Sequence, residues 1–139
     1  MSIEEIGNEW LREQWHLDLD WYKTNGCSFF ALSQESLCPK CRRRLKREAK
    51  AEDIMKAVAG CCSEKKDYIT AAMPVMSAVF RYFLANNNQP VELETLAKEL
   101  SERRGTTAGS SPLVLRRLLL NDRYYGLKAI AEGVAEKAR

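Results

Sequence analysis

A mainly α-helical fold with a short β element near its C-terminal end is what this sequence predicts. Three observations lead there. Apolar residues recur at helical spacing in most segments, as in Leu93, Leu96, Ala97 and Leu100. The prolines, Pro39, Pro74, Pro90 and Pro112, suit the starts of segments or the turns between them. Apolar residues make up 45% of the 139 and charged residues 29%, a balance that excludes wholesale disorder.

Each element follows from local pattern. Ile3, Ile6 and Trp10, widened by Leu11 and Trp15, predict an amphipathic helix over residues 3–15. Asp18 or Asp20 is placed to cap a second short helix that ends at Asn25-Gly26. Residues 27–41 read as a loop. Residues 42–62 contain no proline and only Gly60, which favours a helix with Leu45, Ile54, Met55 and Val58 inward. Residues 63–67 are a polar connection. A proline inside a helix costs about 3 kcal/mol, so Pro74 belongs near a helix start and the helix runs over residues 73–84. Asn86-Asn87-Asn88-Gln89-Pro90 is a turn. A compact helix is expected over residues 91–104, then a flexible loop over residues 105–111. Ser111 caps a further helix with Pro112 in its first turn, ending near Asn121-Asp122. Tyr124-Tyr125-Gly126-Leu127 suits a short extended segment, and residues 129–139 a short helix or a tail.

No apolar run reaches the roughly 20 residues of a membrane span. The acidic start Met1-Ser2-Ile3-Glu4-Glu5 lacks an apolar signal core, so a cytoplasmic protein is expected. Charge is polarised along the chain. Glu4, Glu5, Glu9, Glu13, Asp18, Asp20 and Glu35 outweigh Arg12 and Lys23, giving residues 1–36 a charge of about −5. Lys40, Arg42, Arg43, Arg44, Lys46, Arg47 and Lys50 stand against Glu48 alone, giving residues 40–50 about +6.

Beside that basic block lies Cys38-Pro39-Lys40-Cys41. A C-x-x-C knuckle aims two sulfurs at one ion, and Pro39 stiffens it. Five cysteines in a chain without a signal core point to metal rather than to disulfides. Zinc takes four donors, with thiolates at about 2.3 Å. Cys27 is the natural third ligand, and the fourth is Cys61, Cys62 or His16. Adjacent residues on a helix diverge by about 100°, so Cys61 and Cys62 are not expected to share one ion. A single histidine and no H-E-x-x-H pattern argue for structural rather than catalytic zinc. Such an ion would staple a segment of residues 1–66 that has little core of its own.

The remainder, residues 67–139, runs helix, turn, helix, loop, helix, short strand, the order of a winged helix, whose last helix is the usual recognition element. Pro90-Val91-Glu92-Leu93-Glu94-Thr95-Leu96-Ala97 resembles the second helix of such domains. Asn121-Asp122-Arg123-Tyr124-Tyr125-Gly126-Leu127 resembles the ending of HARE-type winged helices, where a strand follows the third helix. The chain also resembles an uncharacterised bacterial family that pairs a C-P-x-C segment with the helix end seen at Phe80-Arg81-Tyr82-Phe83-Leu84-Ala85-Asn86-Asn87-Asn88-Gln89-Pro90. These resemblances imply a winged-helix-like domain with a short β wing and imply no activity. Only one strand follows the third helix, which leaves the second wing strand unassigned.

The function expected first is that of a zinc-stabilised winged-helix protein that binds DNA or acts in transcription. Arg116 and Arg117 on the last helix, flanked by Arg103, Arg104, Arg123 and Lys128, and the block Arg42, Arg43, Arg44, Lys46 and Arg47, are candidate contacts to double-stranded DNA. Residues 90–139 carry only about +2, weak for a dedicated DNA reader. The alternative is a protein-interaction adaptor or homodimer that uses the winged helix and the aromatic residues Trp10, Trp15, Trp21, Phe29 and Phe30. An enzyme is not expected, because no nucleophile stands with a base and no open metal position is in sight.

Overall fold

The computed structural model describes residues 9–45 and 49–130. Among them the chain forms seven α-helices and a three-stranded sheet, a mainly α fold with a short β wing. The sheet joins the two ends of the chain. Its strands, β1 (Gln14–Leu17), β2 (Val91–Glu92) and β3 (Leu127–Ile130), lie in the order β2-β1-β3, with both pairings antiparallel. Trp15 faces Val91 on one side and Ala129 on the other, while Leu17 faces Leu127. Residues 14–17 thus form the middle strand, between β2 and β3.

This corrects the helix expected over residues 3–15. Residues 1–8 lie outside the described part, Glu9–Arg12 form one 3-10 turn, and the chain then extends. Trp15 and Leu17 are buried, Gln14 is exposed and His16 half-buried. That alternation is the strand period, and Trp15 had fitted both patterns. Strand partners more than 70 residues away make the choice.

Beyond the two residues of β2, a side chain continues the sheet. Asn88 Oδ1 accepts the Leu17 N–H at 2.8 Å, and Asn88 Nδ2 donates to the Leu17 carbonyl at 2.9 Å. Asn88 sits at φ +55, a left-handed conformation that asparagine tolerates.

Asp18 caps α1 (Leu19–Thr24), its carboxylate accepting the Asp20 N–H, and the helix is followed by Gly26 at φ +66. Residues 27–41, expected as a loop, contain two short helices. Ser28 Oγ accepts the Ala31 N–H at 3.0 Å and starts α2 (Phe29–Ser33). Pro39 opens α3 (Pro39–Arg44). The single helix expected over residues 42–62 is divided: α3 stops at Arg44, and α4 (Ala51–Gly60) begins after Asp53 accepts the Lys50 N–H at 3.1 Å. Pro74 caps α5 (Val75–Ala85), as its cost inside a helix requires. Val91 and Glu92 go to β2, so α6 (Leu93–Arg104) starts two residues later than expected and ends at Gly105, φ +74. Pro112 opens α7 (Pro112–Leu120).

After α7 the Asp122 carboxylate accepts the N–H groups of Tyr124, Tyr125 and Leu127 and turns the chain into β3. The extended segment therefore begins at Leu127 rather than Tyr124, and Ala129 and Ile130 belong to it rather than to a tail. Residues 131–139 lie outside the described part. One apolar core spans residue 66: Trp15, Leu17, Ile54 and Val58 join Phe83, Leu93, Leu100 and Leu115 in the same cluster. Phe29 bridges Tyr22 and Phe80 by edge-on ring contacts at 5.2 and 5.9 Å.

Candidate metal centre

Four cysteines converge where α3 begins and α4 ends. Cys38 is extended at φ −69 and ψ 159, and Pro39 turns the chain at once into α3, which carries Cys41 in its first turn. The second pair arrives by a different route. The α4 helix stops at Gly60, and Cys61 leaves helical geometry altogether at φ −145 and ψ −66, before Cys62 enters a 3-10 turn. The expected divergence of about 100° between neighbours holds inside a helix. Here the helix has already ended, so both vicinal sulfurs reach the same place.

The Sγ atoms of Cys38, Cys41, Cys61 and Cys62 all lie within 4.8 Å of one another. Cys38 and Cys61 are 3.8 Å apart at sulfur. A tetrahedron of thiolates at 2.3 Å from an ion has edges of about 3.8 Å, so the donor set fits a single tetrahedral ion. These four residues could hold a metal ion. Cys41 and Cys62 are buried, and Cys38 and Cys61 half-buried.

The surroundings favour thiolate at Cys38 alone. The backbone N–H of Cys41, aimed at Cys38 Sγ, does most to pull the Cys38 thiol down to about 6. Burial pushes the Cys41 and Cys62 thiols up, and Cys61 is raised by its sulfur contacts, first with Cys41 and then with Cys38. The shifts thus run down at Cys38 and up at its three neighbours. A cation held by all four sulfurs would take them as thiolates and release their protons. The Cys38 N–H also points at Cys62 Sγ at 3.2 Å, and Arg44 Nη2 lies 3.9 Å from Cys41 Sγ.

Two expected ligands stand apart. Cys27 is exposed on the turn after α1, its Sγ 3.5 Å from the Asn25 carbonyl, and the group of four closes without it. His16 lies on the outward face of β1. The expectation that one of Cys61 and Cys62 would be excluded is likewise corrected. Gly60, a weak helix former at the last position of α4 and directly before the pair, was the signal in the sequence that the helix ends there.

The basic candidates are partly engaged elsewhere. Arg42 donates to the carbonyls of Gln34 at 3.1 Å and Leu37 at 3.0 Å, holding the knuckle in place. Arg43 is exposed on α3, and Lys46 and Arg47 lie outside the described residues. Arg116 grips Glu13 through two bonds of 2.9 and 3.1 Å and lies over the Trp10 ring. Arg104, expected at the flank of a DNA surface, is buried and donates to the carbonyls of Ala108 and Ala71. Arg117 and Arg123 are exposed. Trp15 is buried in the core and Trp10 and Trp21 are half-buried against it, so the tryptophans fill the interior more than they line a surface.

Among the described residues no helix is long and apolar enough to cross a membrane. Compared with known protein families, curated proteins and solved structures, the chain matches none of them.

Proposed function

We propose that this protein is a non-catalytic, winged-helix-like binding module whose N-terminal flank is stapled by structural zinc on Cys38, Cys41, Cys61 and Cys62. The observation that carries the reading is the convergence of four sulfurs within 4.8 Å. An all-thiolate tetrahedral set suits zinc, and four protein ligands leave no open position for water or substrate. The ion's contribution would be mechanical: it ties the start of α3 to the end of α4. The succession α5, β2, α6, α7, β3 supports the winged-helix part, with β1 standing where a second wing strand would lie.

The partner favoured is a protein. A helix that reads base edges in the major groove needs hydrogen-bonding side chains there. The exposed side of α7 instead offers Leu113, Val114 and Leu120 around Arg117, and Arg116 is already held by Glu13. The duplex-DNA reading rests on Arg43, Arg117 and Arg123 and is the weaker of the two. A reducing compartment such as the cytoplasm suits the four thiols.

Metal analysis with native mass spectrometry on the purified full chain tests the zinc reading. A single zinc ion per chain is expected. Serine at any of Cys38, Cys41, Cys61 or Cys62 lowers occupancy, while Cys27→Ser leaves it unchanged. Iron in place of zinc, or equal loss from Cys27→Ser, overturns the assignment.

A further inference from the structure

We infer that the outward face of α7 docks an acidic amphipathic helix of a partner protein; this rests on the binding-module reading and specifies its partner. The face is unusual in composition. Leu115 and Leu119 turn into the core, whereas Leu113 is 52% exposed, Leu120 55% and Val114 40%. At about 100° per residue, positions 113, 117 and 120 fall within roughly 60° of one another, with 114 beside them. Tyr124, 62% exposed, follows shortly after the end of the helix. Apart from Leu19, these are the exposed large hydrophobic residues among the described ones. Exposed aliphatic side chains gathered on one helix face, rather than scattered singly, are candidates for an interaction site.

Charge selects the occupant. The α7 helix contains no acid. Asp122, the first acid after it, is half-buried and turned toward the backbone N–H groups of Tyr124, Tyr125 and Leu127, and Glu13 is paired with Arg116. Along α7 and the turn that follows it, the exposed charged side chains, Arg117 and Arg123, are both positive. An aliphatic stripe with a cationic rim is complemented by a helix that carries leucines or isoleucines flanked by glutamate or aspartate. Symmetric pairing of α7 with α7 of a second copy would bring two faces of the same positive sign together. Nucleic acid would leave the aliphatic side chains without apolar partners.

The test uses the zinc-loaded full chain, labelled for amide NMR, and two synthetic helical peptides. Both carry leucine at i, i+4 and i+7; one is flanked by glutamates and the other by lysines. The glutamate peptide should shift the amides of Leu113, Arg117 and Leu120 and bind at least about tenfold tighter than the lysine peptide. Its affinity should fall as salt rises from about 0.1 M to about 0.5 M. The pair Leu113→Ser and Leu120→Ser should abolish binding with an unchanged thermal melt, and Arg117→Glu should narrow or invert the peptide preference. The inference is overturned if neither peptide binds, if both bind equally, or if the shifts centre away from α7. It is also overturned if the chain dimerises through α7 in sedimentation, or if duplex DNA produces the same shifts more tightly. Zinc content measured on the same sample separates a failure of this partner from a failure of the stapled module.

Discussion

Asn88 carries an unusual share of the link between the two ends of the chain, and replacing it should be costly. Its side chain makes two hydrogen bonds to the backbone of Leu17, a buried residue of the central strand, at 2.8 and 2.9 Å. Each such bond contributes about 1 kcal/mol net, and a Leu17 backbone group left without a partner would cost more. Asn88 also sits at φ +55, where an alanine pays about 1 kcal/mol that asparagine and glycine largely avoid. Asn88→Ala should therefore destabilise the fold by about 3 kcal/mol and Asn88→Gly by about 2 kcal/mol. The assay is urea unfolding of the purified full chain followed by circular dichroism, with the slope m unchanged so that midpoints compare directly. If both variants stay within about 0.5 kcal/mol of the parent, the side chain does not complete the sheet and the reasoning fails. If glycine costs as much as alanine, the backbone part of the argument is wrong.

Gly126→Ala should cost about 2 kcal/mol in a thermal melt, since at φ +73 a Cβ would strain the backbone and also meet Trp21 Cε3 at 3.2 Å and Tyr22 Cε2 at 3.3 Å. Gly105→Ala, at φ +74 with nothing within 4 Å, should cost only the backbone share, and equal losses at the two sites would refute the crowding. His16 gives a pH dependence. Burial lowers its pKa below 6.5, partly opposed by the Asp18 carboxylate, and Lys128 is its register partner on β3. The unfolded chain then binds the proton first, so His16 has no effect above its unfolded value and removes stability as pH falls through 6.5 toward the lowered value. His16→Gln should therefore lose less stability than the parent between about pH 7 and about pH 5, read from urea midpoints at both ends; an equal or larger loss would contradict the sign.

Local rules were enough wherever one residue sets the backbone by itself. Pro74 and Pro112 mark the starts of α5 and α7 because a ring without an N–H is tolerated there and not in a helix interior. Leu93, Leu96, Ala97 and Leu100 form the buried side of α6, because their spacing leaves them one face. Cys38 and Cys41 were legible as a pair because a C-P-x-C turn brings its own sulfurs together.

The remainder needed three dimensions. Trp15 and Leu17 form a strand because β2 and β3 supply backbone partners from the far end of the chain, and no window around residue 15 contains that information. Cys61 and Cys62 both join the four-cysteine cluster that could hold an ion, and Cys27 does not, because α4 ends directly before the pair and returns to the knuckle. Spacing in sequence measures contour length, whereas a ligand set depends on where helices stop and turn. Leu113 and Leu120 looked like any other leucines of an amphipathic helix; packing of Leu115 and Leu119 against the core is what left them outside. Burial is a competition among faces for one interior, and it is settled only when every element has been placed.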